Sequence, residues 1–287
     1  MSWQMYRWVW LVKWPLHIGA PPAGALNRTR LYVPARALWG ALTAEIARRR
    51  SPNRFPDYAS IGRSIQTNIR LSYLFPSEPI HGEWKAWLPR YREGVGLVWE
   101  REGNHQMLED RPFRVSLLTT RPGTAVDPES ETAAEGTLRE FELISPYWRD
   151  EGLVPRPVAL VGYIFCKDQG LLFELKQIDV LWVGGDTRYG LGKLKRVACQ
   201  EDNRFFDEEV DLHGNEPVVK TRRVLAHTDP GAGDAPLVGA MECLAGWDML
   251  TGDQKIHGLM WAPGSVSSVS DGRQDFVILE EGQWRKR

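Results

Sequence analysis

Large apolar residues alternate with other residues near the N-terminus of this chain. The alternating set is Tyr6, Trp8, Trp10, Val12 and Trp14, and the residues between its members include Arg7 and Lys13. A spacing of two places the whole set on one face of a β-strand. The chain must therefore bury one strongly apolar strand. Its 287 residues, 43% hydrophobic and 25% charged, are enough to build a globular core around that strand.

The same region and the cysteines predict the compartment. Arg7 and Lys13 interrupt the apolar run, so it predicts neither a signal peptide nor a membrane span. The three cysteines are widely spaced and form no CxxC pair, which predicts neither disulfides nor a zinc site. We therefore expect a cytoplasmic protein with no membrane partner, no metal and no cofactor.

A helix is predicted over residues 34–50, because Leu38, Leu42 and Ile46 recur every four residues after Pro34. A second helix is predicted from Leu171 to Trp182 on similar spacing. Strands are predicted near Ile69–Phe75, Gly96–Glu100, Phe113–Thr120, Leu138–Ile144, Pro157–Cys166, Lys193–Cys199 and Phe276–Leu279.

This order predicts an α+β fold with a ferredoxin-like or RRM-type core, a sheet that commonly binds RNA. Residues 1–204 are expected to form this domain, with an irregular insertion at about 51–112. Residues 205–287 are expected to form a second, smaller β-rich, RRM-like unit.

The stretch VGGDTRYGLGKLKR (Val183–Arg196) contains four glycines and four basic residues. A P-loop would need a lysine where Leu191 stands, and a dinucleotide fingerprint would need a glycine where Lys195 stands. Both motifs also precede a helix, whereas here a predicted helix precedes the glycines and a predicted strand follows. The stretch therefore predicts a loop that contacts a chain of phosphates, and the alternative is a helix end followed by a turn with solvated charges.

The candidate RNA-binding residues fall in this loop and after the first strand. Glycine N–H groups and basic side chains suit phosphates, and Tyr189 suits stacking on a base. The candidates are Arg28, Arg30, Arg36, Gly184, Gly185, Arg188, Tyr189, Gly190, Gly192, Lys193, Lys195 and Arg196.

Four segments, in this order, resemble the CRISPR-associated RAMP superfamily, RRM-fold proteins that hold crRNA. They are PLHIG (Pro15–Gly19), YVPARALWGAL (Tyr32–Leu42), TAVDPESETAAEGTLREFELI (Thr124–Ile144) and VGGDTRYGLGKL (Val183–Leu194). Ala35 and Glu131 stand where the family usually has glycine, and Arg139 where it has phenylalanine.

The resemblance implies a crRNA-binding structural subunit of a type III-like effector complex, with other subunits as partners and target RNA contacted indirectly. Members that cut target RNA use an aspartate in the loop after the first strand, and that loop here, Ala20–Leu31, contains no Asp or Glu. The resemblance therefore favours a non-catalytic subunit. Residues 205–287 resemble the second domain of members that bind the crRNA 5′ tag, which makes that subunit the expectation.

Three alternatives stay open. The chain could be a backbone subunit that contacts the guide–target duplex. It could be the family's metal-independent pre-crRNA endoribonuclease, with His17 as the acid or base. It could also bind only proteins, through tryptophans such as Trp84, Trp87 and Trp99. His227 and Asp229 predict a turn rather than a site.

Overall fold

The computed structural model describes residues 2–149, 154–231, 237–248, 251–268 and 272–287. Its helices are α1 (Ala35–Arg50), α2 (Tyr58–Asn68), α3 (Asp110–Leu117) and α4 (Gln169–Lys176). Its first strands are β1 (Gln4–Val12), β2 (Leu26–Asn27), β3 (Ile69–Leu71), β4 (Phe75–Ile80), β5 (Glu83–Arg92), β6 (Gly96–Arg101), β7 (Met107–Glu109), β8 (Leu118–Gly123), β9 (Arg139–Ile144) and β10 (Ala159–Cys166). Its later strands are β11 (Val180–Trp182), β12 (Lys193–Glu201), β13 (Glu209–Asp211), β14 (Val218–Thr221), β15 (Leu237–Val238), β16 (Met241–Asp248), β17 (Asp253–Trp261), β18 (Val266–Ser267), β19 (Gln274–Ile278) and β20 (Trp284–Lys286).

The main sheet contains a ferredoxin-like core. β12, β1 and β10 are neighbours, and β3 and β4 both pair with β10, all antiparallel. Helix α1 connects β1 to the β3–β4 position, and α4 follows β10, so the element order is βαββαβ. The α+β class is confirmed, as are the predicted first strand, first helix and the strands at β9, β10, β12 and β19.

Two local predictions in the middle of the chain were wrong. Residues 51–112 are more regular than expected, because β3 and β4 belong to the core sheet and β5, β6 and β7 extend it. The strands predicted there near Ile69–Phe75 and Gly96–Glu100 do form, as β3 with the start of β4 and as β6. The predicted strand Phe113–Thr120 is helical up to Leu117, and only then does β8 begin. Phe113 and Leu117 are both buried at helical spacing, and Phe113 stacks on Trp99 with ring centroids 4.3 Å apart. The spacing of a short apolar run is compatible with both a helix and a strand, and here side-chain packing selects the helix.

The predicted helix Leu171–Trp182 is too long. Helix α4 ends at Lys176, and Val180–Trp182 pairs with the start of β12. The Gly-rich stretch is therefore the connection of a β-hairpin. Ile178 and Leu181 are buried although the segment that contains them is extended. The spacing of apolar residues alone cannot distinguish such a segment from a helix.

Both faces of the central sheet are covered. On the helix side, the Lys176 ammonium of α4 lies 4.1 Å from the centroid of the Tyr6 ring, and Trp8 and Trp10 share that face with no exposure. On the opposite side, Phe206 packs on Tyr163 of β10. The open RNA-binding sheet face of an RRM-type domain is thus replaced here by core.

One hydrophobic cluster joins the N-terminal elements to Phe205, Val219, Phe276 and Trp284. The domain boundary near residue 205 stays a prediction. The C-terminal part contains a four-stranded sheet, β13–β14–β19–β20, and a separate hairpin, β16–β17. Among the described residues, no helix is both long and apolar enough to cross a membrane.

Candidate nucleic-acid interface

The Gly-rich loop is fastened at its base to the end of the first strand. Gly185 N–H donates to the carbonyl of His17 at 3.0 Å, and Gly192 N–H donates to the carbonyl of Pro15 at 2.8 Å. Gly184 and Gly192 have positive φ, and a Cβ at either would overlap a backbone carbonyl oxygen, that of His17 or of Val183. Glycine is required at both positions because no side chain fits there.

The loop has fewer donors left for phosphate than its glycines predict. The N–H groups of Gly185, Gly190 and Gly192 all donate to carbonyls of this chain. The turn between them, Thr187–Tyr189, projects outward, and Tyr189 is 69% exposed. An anion at this loop must therefore be bound mainly by side chains at the tip.

The four segments that carry the family resemblance meet around this base. A groove of about 600 Å³, the loop groove, is lined by Ile18 and Gly19, by Gly184 and Gly185, by the first turns of α1 and by the β16–β17 hairpin. The segment Thr124–Ile144 joins them through Glu142 of β9. Its carbonyl accepts from His17, and its carboxylate accepts the Thr29 N–H at 2.9 Å.

The candidate cations divide into two groups. Arg28, Arg188 and Lys195 are exposed and make no ion pair with any described residue. The others are held within the chain. Arg36 pairs with Glu281 at 3.0 Å, Arg196 pairs with Asp179 at 2.7 Å, and Lys193 lies over the rings of Trp14 and Trp182. The first group therefore presents exposed charge with no carboxylate partner among the described residues, whereas Lys193, which also lacks one, is half-buried against two indole rings.

His17 is held in a fixed orientation beneath the loop. Its Nδ1 lies 3.0 Å from the Glu142 carbonyl, and its ring packs edge-on against Phe141. A carbonyl only accepts, so Nδ1 carries a proton and donates it to this hydrogen bond. The side chain is 9% exposed, and these contacts give it a structural role in joining β9 to the first strand.

A buried polar network, which sequence reasoning missed, fastens the C-terminal hairpin to the core. Tyr73 O–H donates to His227 Nδ1 at 2.7 Å, and His227 Nε2–H donates to Glu242 at 2.8 Å. Glu242 also accepts from Arg30 at 2.5 Å and from Tyr32 at 2.9 Å. The only signal in the sequence was His227, which alone predicted a turn.

The network sets the charge of its members. Burial opposes ionisation of Glu242, but the hydrogen bond from His227 and the charge of Arg30 outweigh it and lower its pKa to about 2. Burial lowers the pKa of His227, partly offset by Glu242. At neutral pH the network therefore contains a neutral imidazole, a carboxylate and a guanidinium, each with hydrogen-bond partners.

The tryptophans expected to bind proteins are placed differently. Trp87 and Trp99 are 3% and 1% exposed and belong to the core. Trp84 is partly buried against the same core. The tryptophans exposed among the described residues are Trp14, at 40%, and Trp247 of β16, at 66%. Metal ligands are not assembled anywhere in the described ranges, which contain no cluster of three His, Cys, Asp or Glu side chains able to hold an ion.

Comparison with solved structures defines the class of fold. The chain matches one in the cryo-EM structure of the type III-B Cmr-beta bound to cognate target RNA and AMPPnP, with 13% identity, a TM-score of 0.57, and coverage of 98% of this chain and 99% of that one. A second Cmr-beta structure, bound to cognate target RNA, gives 13% identity, a TM-score of 0.56 and 98% coverage of both chains. No family model and no curated protein matches the sequence.

The fold is therefore shared with a chain of the type III-B Cmr-beta, and the similarity extends over nearly the whole of this chain. The resemblance of the four segments predicted a fold of this kind, and the similarity shows that fold alone. The finer assignment to the 5′-tag-binding subunit stays a prediction.

Proposed function

We propose that this chain is a non-catalytic, crRNA-binding subunit of a cytoplasmic, type III-like CRISPR ribonucleoprotein complex, holding the crRNA backbone or its 5′ tag. The observation that carries the proposal is the meeting of the four RAMP-like segments around the loop groove. Segments far apart in sequence form one surface, and the loop beside it ends in exposed basic and aromatic side chains.

The chemistry of the loop tip suits a nucleic acid strand. Arg188 at the tip and Lys195, the third residue of β12, supply positive charge with no ion-pair partner among the described residues. A guanidinium can donate two parallel hydrogen bonds to a phosphate. Tyr189 offers an exposed ring on which a base can stack. The net charge of −1 means that this attraction is local.

The non-catalytic part of the proposal is supported by two features. The loop Ala20–Leu31 contains no carboxylate, so this segment supplies no acidic metal ligand or base. His17, the candidate for the metal-independent nuclease, is largely buried and bonded to Glu142.

Assembly with other protein subunits is supported by the outer face of the β16–β17 hairpin. This face, the outer hairpin face, is formed by Met241, Cys243, Ala245, Trp247, Ile256 and Leu259. Trp247, Ile256 and Leu259 are 66%, 68% and 58% exposed. Contiguous exposed apolar surface is typical of interfaces, and we assign this one to a neighbouring protein subunit because its side chains carry no charge that would hold RNA. Ala245 and Trp247 lie at its border with the loop groove.

The test is RNA binding by a charge-removal variant. Arg188→Ala with Lys195→Ala leaves the bonds at the loop base intact, so the fold is expected to persist while affinity for single-stranded RNA falls about tenfold. The slope of log affinity against log salt is expected to become shallower by about 1 to 2, because two phosphate contacts are lost. Fluorescence anisotropy over a salt series measures both.

The double variant Arg54→Ala, Arg63→Ala is the matched control. Arg54 precedes α2 and Arg63 lies within it, and both are exposed and make no ion pair with a described residue. Equal affinities for the two double variants would contradict the proposal. Incubation with labelled repeat RNA in EDTA tests the enzymatic alternative, which would give a discrete product that disappears with His17→Ala. Binding a guide–target duplex more tightly than single-stranded RNA would favour the backbone-subunit alternative.

A further inference from the structure

A second concave site lies next to the loop groove and contains none of the Gly-rich loop. This central cavity has a volume of about 410 Å³ and lies between the loop after β1, the β5–β6 hairpin and the C-terminal part. Its apolar and aromatic lining includes Leu31, Tyr32, Tyr91, Leu97, Ala240 and Pro263. A small, mostly apolar cavity with a few polar groups is typical of a ligand pocket.

Two arginines give the cavity a basic rim. Arg28 is exposed and makes no ion pair with a described residue. Arg114 donates from Nε to Asp110 at 2.7 Å, but its buried Nη1 has no hydrogen-bond partner. The Arg114 side chain as a whole is 29% exposed and lines the cavity, so the exposed part of its guanidinium can donate to an anion at the rim.

The cavity is one of three adjoining depressions. Arg30 lines both the loop groove and the central cavity. Tyr91 lines both the central cavity and a cleft of about 790 Å³, the arginine cleft, whose lining includes Arg90, Arg92, Arg222, Arg223 and Arg273 together with the carboxylates Glu93, Glu100, Asp207 and Glu208. Glu100 pairs with Arg90 and Arg223, whereas Arg92 is exposed and makes no ion pair with a described residue. A strand that leaves the loop groove can therefore continue across the cavity toward Arg92.

We infer that the central cavity binds one nucleotide of a single-stranded RNA that runs from the loop groove to the arginine cleft. The base lies among the apolar and aromatic walls beside Tyr91, and its phosphate is bound by Arg28 and Arg114. The flat faces of a base are apolar and suit the apolar walls of the cavity. The phosphate attached to it is negatively charged and suits the basic rim. The inference rests on the proposed function and deepens it.

A substitution that fills the cavity tests the inference. Ala240→Phe places a ring in it from an exposed position, so the fold is expected to persist. Val238→Phe is the matched control, because Val238 is also exposed and does not line the cavity. Ala240→Phe is expected to weaken binding of labelled single-stranded RNA about tenfold relative to Val238→Phe, since stacking of one base is lost. Arg28→Ala is expected to weaken it at least threefold relative to Arg63→Ala.

A second readout places the base directly. RNA that carries 5-iodouridine, irradiated with the wild-type protein and mapped by mass spectrometry, is expected to crosslink to Tyr91. Tyr147, 51% exposed and outside the cavity, is the internal control. Equal affinities of the two phenylalanine variants, or crosslinks no stronger at Tyr91 than at Tyr147, would overturn the inference.

The two proposals fail in different ways. If the Arg188→Ala, Lys195→Ala variant loses affinity and Ala240→Phe does not, the cavity is not a nucleotide site and the proposed function stands. If the wild-type chain binds no RNA at all, both are wrong.

Discussion

Strand β10 and the hairpin β16–β17 differ in how they are covered. Every residue of β10 is buried, because helices lie on one face of its sheet and the C-terminal part on the other. The hairpin is covered by other parts of the chain on only one of its faces. Its inner face reaches the core through Glu242, and its outer face is exposed and apolar. The sheet is thus held by apolar packing on both faces, and the hairpin by a few charged hydrogen bonds together with the burial of Leu244 and Met260 on its inner face.

This difference predicts in which region a substitution changes the stability of the chain and in which region it changes assembly with other subunits. Packing in the sheet is contiguous, so a cavity there weakens the whole fold. The outer hairpin face has no packing to lose in the isolated chain. Its contacts would form only with a partner.

The largest expected effect compares two tryptophans. Trp10→Ala in β1 is expected to lower the free energy of unfolding by about 3–5 kcal/mol, because the fully buried indole leaves a cavity. Trp247→Ala is expected to change it by no more than about 0.5 kcal/mol, because that indole is exposed. Urea unfolding of both variants measures the difference.

Trp247→Ala should instead reduce incorporation into the assembled complex, measured by copurification from cells that express all subunits. If Trp247→Ala destabilises the chain as much as Trp10→Ala does, the distinction between the two regions is wrong. Normal incorporation of the Trp247→Ala variant would contradict the assignment of the outer hairpin face as the contact with a neighbouring subunit.

The next effect tests the attachment of the hairpin. Glu242→Gln is expected to lower the free energy of unfolding by about 2–3 kcal/mol, because it leaves the largely buried guanidinium of Arg30 without its counter-charge. Glu140→Gln, on the exposed part of β9, is the control and should have almost no effect. Equal urea midpoints for the two variants would show that packing, rather than charge, holds the hairpin.

The smallest effect is a pH dependence. The pKa of Glu242 is about 2 in the folded chain and 4.5 ordinarily, so its contribution to stability is present above pH 4.5 and is lost as the pH falls toward 2. The pKa of His227 is lowered from 6.5, so its contribution is lost as the pH falls below 6.5. Melting temperatures should therefore decline from about pH 6.5 downward.

The Glu242→Gln variant isolates the acidic part of that decline. It should lose the decrease between pH 4.5 and 2 that Glu242 causes in the wild-type chain. A wild-type melting temperature that stays constant from pH 7 to pH 4 would contradict the assigned pKa shifts.

Part of the candidate site could be predicted from the sequence. The glycines at 184 and 192 indicate a special backbone, and the basic residues beside them indicate an anion, because both signals are local. Which cations remain unpaired could not be predicted. Arg36 pairs with Glu281, 245 positions away, and nothing near Arg36 in the sequence shows it.

The sequence by itself determined the strand β1, the helix α1, the order of the core elements and the four segments of the family resemblance. Alternation, helical spacing and motif order are properties of neighbouring residues, so the chain carries them without its fold. Only the tertiary structure decided that the Gly-rich stretch closes a hairpin and that the sheet face is covered. It also decided which arginines are paired. These outcomes depend on contacts between residues far apart in sequence, whose packing and charge neutralisation outweigh local preference.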